Sequence, residues 1–323
     1  MAASIEVQVL LLDDALCASP TGCPRPRWSA IRSPPAFTPV PVPSYRGLMA
    51  HDFSGKTVLV TGGGSGIGRA TVLAFARAGA DLVLCDVDER GLAETEAAAR
   101  ALGREVLARR VDVASRDAMR AFAEEVHRGR AAVDILVNNA GVGLGGSFLD
   151  TPLEDWDWII AVNLGGVIHG CHFFIPPMVH RGQGGHVVNI SSTAGFYAPA
   201  ALSAYATTKF GVFGLSEALR DELAPHRIGV STICPGVINT PIVDTGRYHG
   251  RLTDPAYRAQ VSALFKRRNF GPEKVAASIL DAVAHRREVV PVTPEAWAIY
   301  ALKRAAPALV PAVFRRVRAF TER

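Results

Sequence analysis

The sequence predicts an α/β fold, a single parallel sheet doubly wound by helices on both faces. Three observations carry this. From Thr57 onward, short apolar β-branched runs alternate with helical patterns, as in a parallel sheet with crossover helices. The first of these runs leads directly into a glycine-rich loop and then a helical pattern. The chain has 323 residues and is 49% hydrophobic, enough for one substantial core, and α/β folds of this length routinely stay one domain.

The first strand is expected at residues 56–60 (K-T-V-L-V), the loop is Thr61-Gly62-Gly63-Gly64-Ser65-Gly66-Ile67-Gly68, and Ala70, Leu73, Ala74 and Ala78 mark a helix over 69–78. Strand, glycine loop and helix form the context of a dinucleotide fingerprint, a Rossmann arrangement. Glycines permit positive φ and close backbone approach to a pyrophosphate. The helix N-terminus aims free N–H groups at the anion. The spacing G-x-x-x-G-x-G (Gly62, Gly66, Gly68) departs from G-x-G-x-x-G, so a flexible turn stays open.

A second strand over 81–85 ends at Asp86, 24 residues after Gly62, close to the ~20 expected of a carboxylate that accepts both ribose hydroxyls. That charge would repel a 2′-phosphate, so NAD is favoured. NADP stays open because Arg69 follows the last glycine, and Asp86 also fits a strand-end turn or a helix cap.

Tyr205 and Lys209 lie four residues apart in Y-A-T-T-K, with Ser192 thirteen residues upstream. Four residues place both side chains on one helix face. A nearby ammonium is expected to lower the phenol pKa and make it a usable acid or base. Alone such a pair is a weak signal. Thr151-Pro152-Leu153-Glu154 reads as a capping box opening the helix that carries Asn163.

At these residues the chain resembles the short-chain dehydrogenase/reductase (SDR) family. The resemblance runs from about Phe53 to about Val292 and comprises T-G-G-G-S-G-I-G, Asp112-Val113, N-N-A-G at 138–141, Asn163 in V-N-L, Ser192 in N-I-S-S, Tyr205 with Lys209, and P-G-V-I-N-T at 235–240. Within the family it is most similar to the reductase domain that some bacterial proteins carry fused to an epoxide-hydrolase-type α/β-hydrolase. The stretches I-C-P-G-V-I-N-T and V-T-P-E-A-W carry that likeness, while Gly214-Leu215-Ser216 lacks the second glycine of a hydrolase elbow.

The resemblance implies a role for each residue. Tyr205 is the acid/base, Lys209 stabilises its phenolate, Ser192 bonds the substrate oxygen, and Asn163 orients a water that links Lys209 to solvent. Gly62, Ser65, Gly66, Ile67 and Gly68 hold the pyrophosphate. Asp112 and Val113 border the adenine; Asn138 to Gly141 form a turn supporting the central sheet, with Asn138 and Gly141 near the adenosine ribose and Ala140 among the cofactor-binding residues. Pro235, Gly236, Val237, Ile238 and Thr240 hold the nicotinamide carboxamide. It implies a hydride exchange between nicotinamide and an alcohol or ketone. A non-catalytic dinucleotide-binding regulator on the same fold, a reductase of a carrier-bound 3-oxoacyl substrate, and an isomerase or dehydratase that recycles its cofactor remain alternatives.

No metal is expected: the nine histidines show no H-E-x-x-H or Cys–His cluster, and His169, His172 and His180 read as packing. Residues 49–292 form the expected catalytic domain. Residues 1–48 hold eight of 21 prolines and two of five cysteines, and are expected to be a disordered extension or to follow from a mis-assigned start. Dispersed cysteines and no run of ~18 apolar residues suggest a cytoplasmic protein. Residues 241–270 are expected to form a substrate lid. Their apolar residues, with Phe148, Phe196, Tyr197, Ala198, Ala200 and Leu202, point to a hydrophobic alcohol or ketone, whereas Lys266-Arg267-Arg268 keeps an acidic or carrier-bound one open. Phe210, Val212, Phe213 and Leu215 exceed one apolar helix face, which fits a homodimer or homotetramer. The tail 293–323 is basic and apolar, so a weak membrane-surface contact stays open; no nucleic-acid module is present.

Overall fold

The structure is a computed structural model that describes residues 51–256, Ala259, Ala263 and residues 270–310. The expected extension 1–48, the lid residues 257–258, 260–262 and 264–269, and the tail beyond 310 lie outside the described residues.

The strands are β1 (Thr57–Thr61), β2 (Asp81–Asp86), β3 (Val106–Arg110), β4 (Ile135–Asn138), β5 (Leu144–Gly145), β6 (Gly185–Ile190), β7 (Ile228–Cys234), β8 (Arg247–Tyr248) and β9 (Val289–Pro291). Seven of them form one sheet in the order β3-β2-β1-β4-β6-β7-β9, while β5 and β8 pair separately. Every pairing is parallel; Val58 of β1 stands between Leu82 and Ile135. The winding reverses between β1 and β4, and in such sheets ligands bind at the strands' carboxyl ends at that point. The glycine loop after β1 and the N-N-A-G turn after β4 both lie there.

The helices are α1 (Gly66–Arg77), α2 (Glu89–Arg100), α3 (Arg116–Gly129), α4 (Leu153–Ile160), α5 (Gly166–Arg181), α6 (Ser203–Leu223), α7 (Ile242–Thr245), α8 (Pro272–His285) and α9 (Pro294–Ala305). Alternate strand residues feed opposite cores. Val58, Val60, Leu82 and Leu84 pack with Phe75 of α1 and Ile279 of α8. Leu59, Val83 and Leu136 pack with Phe122 of α3, Phe174 of α5 and Val212 of α6. Both faces are therefore covered, and the strands read as continuous apolar runs for that reason.

One expectation is corrected. Thr151 forms no capping box: its hydroxyl donates to the Ser147 carbonyl at 2.7 Å, and α4 begins at Leu153 behind Pro152 without a side-chain cap. Helix α4 also runs through a π-turn (Ala161–Gly165) into α5, so Leu153–Arg181 is a 29-residue helical stretch long and apolar enough to cross a membrane by length and composition. Its inner side supplies Val167, Phe174 and Met178 to the core.

Candidate active site

The glycine loop is locked onto the turn after β4. Gly62 sits at φ +67°, and a Cβ there would lie 2.8 Å from the Ala140 Cα, so only glycine fits. Thr61 Oγ1 accepts from the Asn139 and Ala140 amides, both at 3.0 Å, and Asn139 Nδ2 donates to the carbonyls of Thr61 and Gly62. A Cβ at Gly68 would collide with the Gly62 carbonyl. Ser65 and Gly66 open α1, with Ser65 exposed and its hydroxyl making no cap bond. Thr240 lies across the loop, 3.5 Å from where a Gly66 Cβ would stand.

Asp86 ends β2 beside this loop. Its Oδ2 accepts from the Gly64 amide at 2.8 Å and its Oδ1 from the Asp88 amide at 3.0 Å. Arg69 is occupied: its guanidinium donates to the carbonyls of Gly64 and Gly91, to Thr95 Oγ1 and to Glu94. Asp112 is exposed at the end of β3, where it accepts from the Ala114 amide at 2.9 Å, and Val113 is buried against Gly166. Asn138 serves the sheet from within. It is 2% exposed, and its Nδ2 donates to Asn189 Oδ1 at 2.9 Å and to Cys171. Its side chain ties β4 to β6 inside the sheet, which leaves Asn139, Ala140 and Gly141 as the turn's outward part.

The expected acid/base group comes together from three elements. Tyr205 and Lys209 lie on α6; Ser192 follows β6; Asn163 sits in the π-turn, a helical defect frequent at functional sites. Asn163 is fully buried, accepting from the Val142 amide at 2.7 Å and donating to the Val142 carbonyl at 3.0 Å. Its Oδ1 and the Lys209 Nζ both border Gly141. Lys209 Nζ donates to the Ile190 carbonyl at 3.0 Å and stands 5.7 Å from the Tyr205 ring centroid. Ser192 Oγ accepts from the Ala194 amide at 3.1 Å, and its side chain favours the Tyr205 phenolate.

Burial works against the expected acidification of Tyr205 by Lys209. Burial raises the Tyr205 pKa, because it penalises the charged phenolate, and the neighbouring Ser192 side chain opposes that rise. Burial also pushes Lys209 down to about 8, by penalising its ammonium. The two groups adjoin.

The loop after β7 lies against Ser192 and Thr193, whose hydroxyls and the Thr193 amide donate to the Pro235 carbonyl. Gly236 lies under α9: a Cβ there would collide with Thr293 Oγ1 and Glu295. Ile238 is buried in the first core. Phe196, expected beside the substrate, is instead buried with Phe213, Cys234 and Tyr300, because α9 covers it. Phe148 and Leu149 remain exposed at 68% and 92%. His169 bonds the Val113 carbonyl at 2.8 Å. Among the described residues, His51, Asp281 and His285 gather their ligand atoms within 4.8 Å; Asp281 there is already paired with Arg287.

Thr61 and Asn139 were visible only as motif letters. Their locking role arises from β1 and β4 being neighbours, which no local spacing reveals.

The short chain dehydrogenase family model matches residues 56–249. The probable oxidoreductase EphD of Mycobacterium tuberculosis is 46% identical over 259 residues, which take in 79% of this chain and 44% of EphD. The chain thus spans less than half the length of that relative. The putative oxidoreductase SadH of the same species is 38% identical, with 78% of this chain and 91% of SadH covered. A crystal structure of a short-chain dehydrogenase/reductase from Burkholderia phymatum in complex with NAD superposes at a TM-score of 0.73 and 33% identity, covering 80% of this chain and 96% of that one. The chain belongs to the short-chain dehydrogenase family.

Proposed function

We propose that the protein is an NAD-dependent oxidoreductase of hydrophobic secondary alcohols and ketones, with Tyr205 as acid/base. The observation that carries this is the Lys209 ammonium 5.7 Å from the centroid of the Tyr205 ring, with the glycine loop at the same sheet edge. When bound, nicotinamide supplies or accepts the hydride. Tyr205 gives a proton to the carbonyl oxygen in reduction and takes it from the alcohol in oxidation. Ser192 donates to the same oxygen, a fixed dipole where charge develops. Lys209 stabilises the phenolate, and Asn163 holds the Val142 turn beside Lys209 and orients the water that leads to solvent.

The glycine loop fits a pyrophosphate, since it leads into the N-terminus of α1, whose first N–H groups carry no side-chain cap. Gly62, Ser65, Gly66, Ile67 and Gly68 would hold that group. Ala140 and Gly141 would lie by the ribose, and Asp112 and Val113 by the adenine. Pro235, Gly236, Val237, Ile238 and Thr240 would take the carboxamide, Ile238 through its backbone. NAD is favoured over NADP because Asp86 presents a carboxylate at the loop and Arg69 is spent on four other groups. The exposed Phe148 and Leu149 favour an apolar substrate. Self-association is supported by Ile168 and Phe210, exposed at 46% and 37% on α5 and α6.

Tyr205→Phe tests the reading. Turnover of NADH with a panel of medium-chain ketones should fall by ~10²–10⁴, while NADH binding, followed by fluorescence, persists. Retained turnover overturns the role of Tyr205, and activity confined to small polar sugars overturns the substrate class.

A further inference from the structure

The run Gly143-Leu144-Gly145-Gly146 follows the N-N-A-G turn and has no part in the site described above. It forms a bed for another segment. Strand β8 lies on β5 with Leu144 opposite Arg247 and Gly145 opposite Tyr248. The Arg247 amide donates to the Gly143 carbonyl at 3.1 Å and the His249 amide to the Gly145 carbonyl at 2.8 Å. Side chains on the bed would obstruct this approach. A Cβ at Gly145 would stand 2.7 Å from Leu252 Cδ1, and one at Gly146 would stand 3.0 Å from the His249 Cβ.

A pair of two-residue strands does not hold itself in place. Here Asp155, in the first turn of α4, supplies the hold. Its side chain is 10% exposed, Oδ1 accepts from Arg247 Nη1, Oδ2 accepts from His249 Nε2, and both contacts are 2.5 Å. The Arg247 guanidinium also lies 3.9 Å from the centroid of a Trp158 ring, a cation–π contact. Burial pushes the Asp155 carboxyl up, but the hydrogen bonds and charges of Arg247 and His249 outweigh it and hold the carboxyl below its usual range. Both carboxylate oxygens are taken by residues 247–249, so lifting that segment would strand a buried charge.

The clamp adjoins the acid/base residue. Trp156, Trp158, Val142 and Leu144 share one apolar cluster with Tyr205. The Gly146 amide donates to the Ala201 carbonyl at 2.8 Å, one residue before the cap of the Tyr205 helix. At its other end the segment leaves the glycine loop through Thr240. It therefore runs from the expected cofactor loop to the Tyr205 cluster.

We propose that Asp155 is a positioning residue for the substrate side of the site, clamping residues 247–249 as a strap beside Tyr205; this rests on the oxidoreductase reading. The test uses the full chain, wild type against Asp155→Asn and, should that variant fold poorly, His249→Gln, a change on the strap itself. Amide exchange of peptides spanning 242–256 should quicken about tenfold in the variants. KM for 2-decanone with NADH should rise about tenfold, while kcat and the NADH Kd stay within about threefold. A general loss of structure would move all of these together with the Tm. Unchanged exchange in 242–256 overturns the clamp, and a loosened strap with an unchanged KM overturns its positioning role. Should the wild type turn over no ketone or alcohol, the oxidoreductase reading fails, and the exchange measurement still decides whether Asp155 holds the strap.

Discussion

Lys209 donates to the Ile190 carbonyl from a position that leaves it 4% exposed. Burial sets its pKa at about 8, down from 10.5. Between these values the unfolded chain keeps a proton that the folded chain has shed, so stability rises with pH across that window and the buried charge is a cost below it. Lys209→Met should remove that slope. The wild-type minus variant unfolding free energy should rise by ~2 kcal/mol from about pH 7 to about pH 10, measured by urea titration; a flat difference counts against it. Asp86 gives a second prediction at this scale. Asp86→Ala removes the charge expected to repel a 2′-phosphate, so NADPH affinity should rise about tenfold relative to NADH, read from paired fluorescence titrations. An unchanged ratio would show that Asp86 does not select the nucleotide.

The π-turn that carries Asn163 joins two helices and fixes the turn after β4 through both Val142 backbone groups. Asn163→Ala leaves those groups unpaired in a buried place, at about 1–3 kcal/mol. Its Tm should fall by several degrees, and turnover should fall with it. A variant with wild-type Tm would mean that the turn holds without this side chain. The elements themselves were largely legible in the sequence. The runs at 56–60 and 81–85 became β1 and β2, within one residue at their ends. The helix expected over 69–78 begins earlier, at Gly66, because its first turn is made of the loop glycines that were read as turn. The capping box failed for a related reason: Thr151 found a nearer acceptor in Ser147, and a four-letter motif does not report its competitors.

For the whole molecule, the alternation of strand and helix gave the layered architecture, but the partners across the sheet were not readable. Asn138 shows this: its motif placed it at a turn, while its pairing with Asn189 depends on β4 lying beside β6. Phe196 was likewise read as substrate-facing until α9 covered it. Burial also decided the sign of the Tyr205 pKa, and burial is a property of the assembled fold. Self-association belongs to this scale. If the exposed Ile168 and Phe210 meet a second copy, Ile168→Glu with Phe210→Glu should convert a dimer or tetramer to monomer in light scattering. A wild type already monomeric at working concentration would refute it.

Gly236 and the start of α9 are separated by more than fifty residues of chain, yet the glycine leaves room for Thr293 and Glu295. The stretches I-C-P-G-V-I-N-T and V-T-P-E-A-W are thus two halves of one joint. Across homologues they should diversify in concert: a bulkier residue after the proline would demand a smaller one at 293 or 295. Chimeras that exchange one stretch without the other would carry a mismatch where the loop after β7 meets α9.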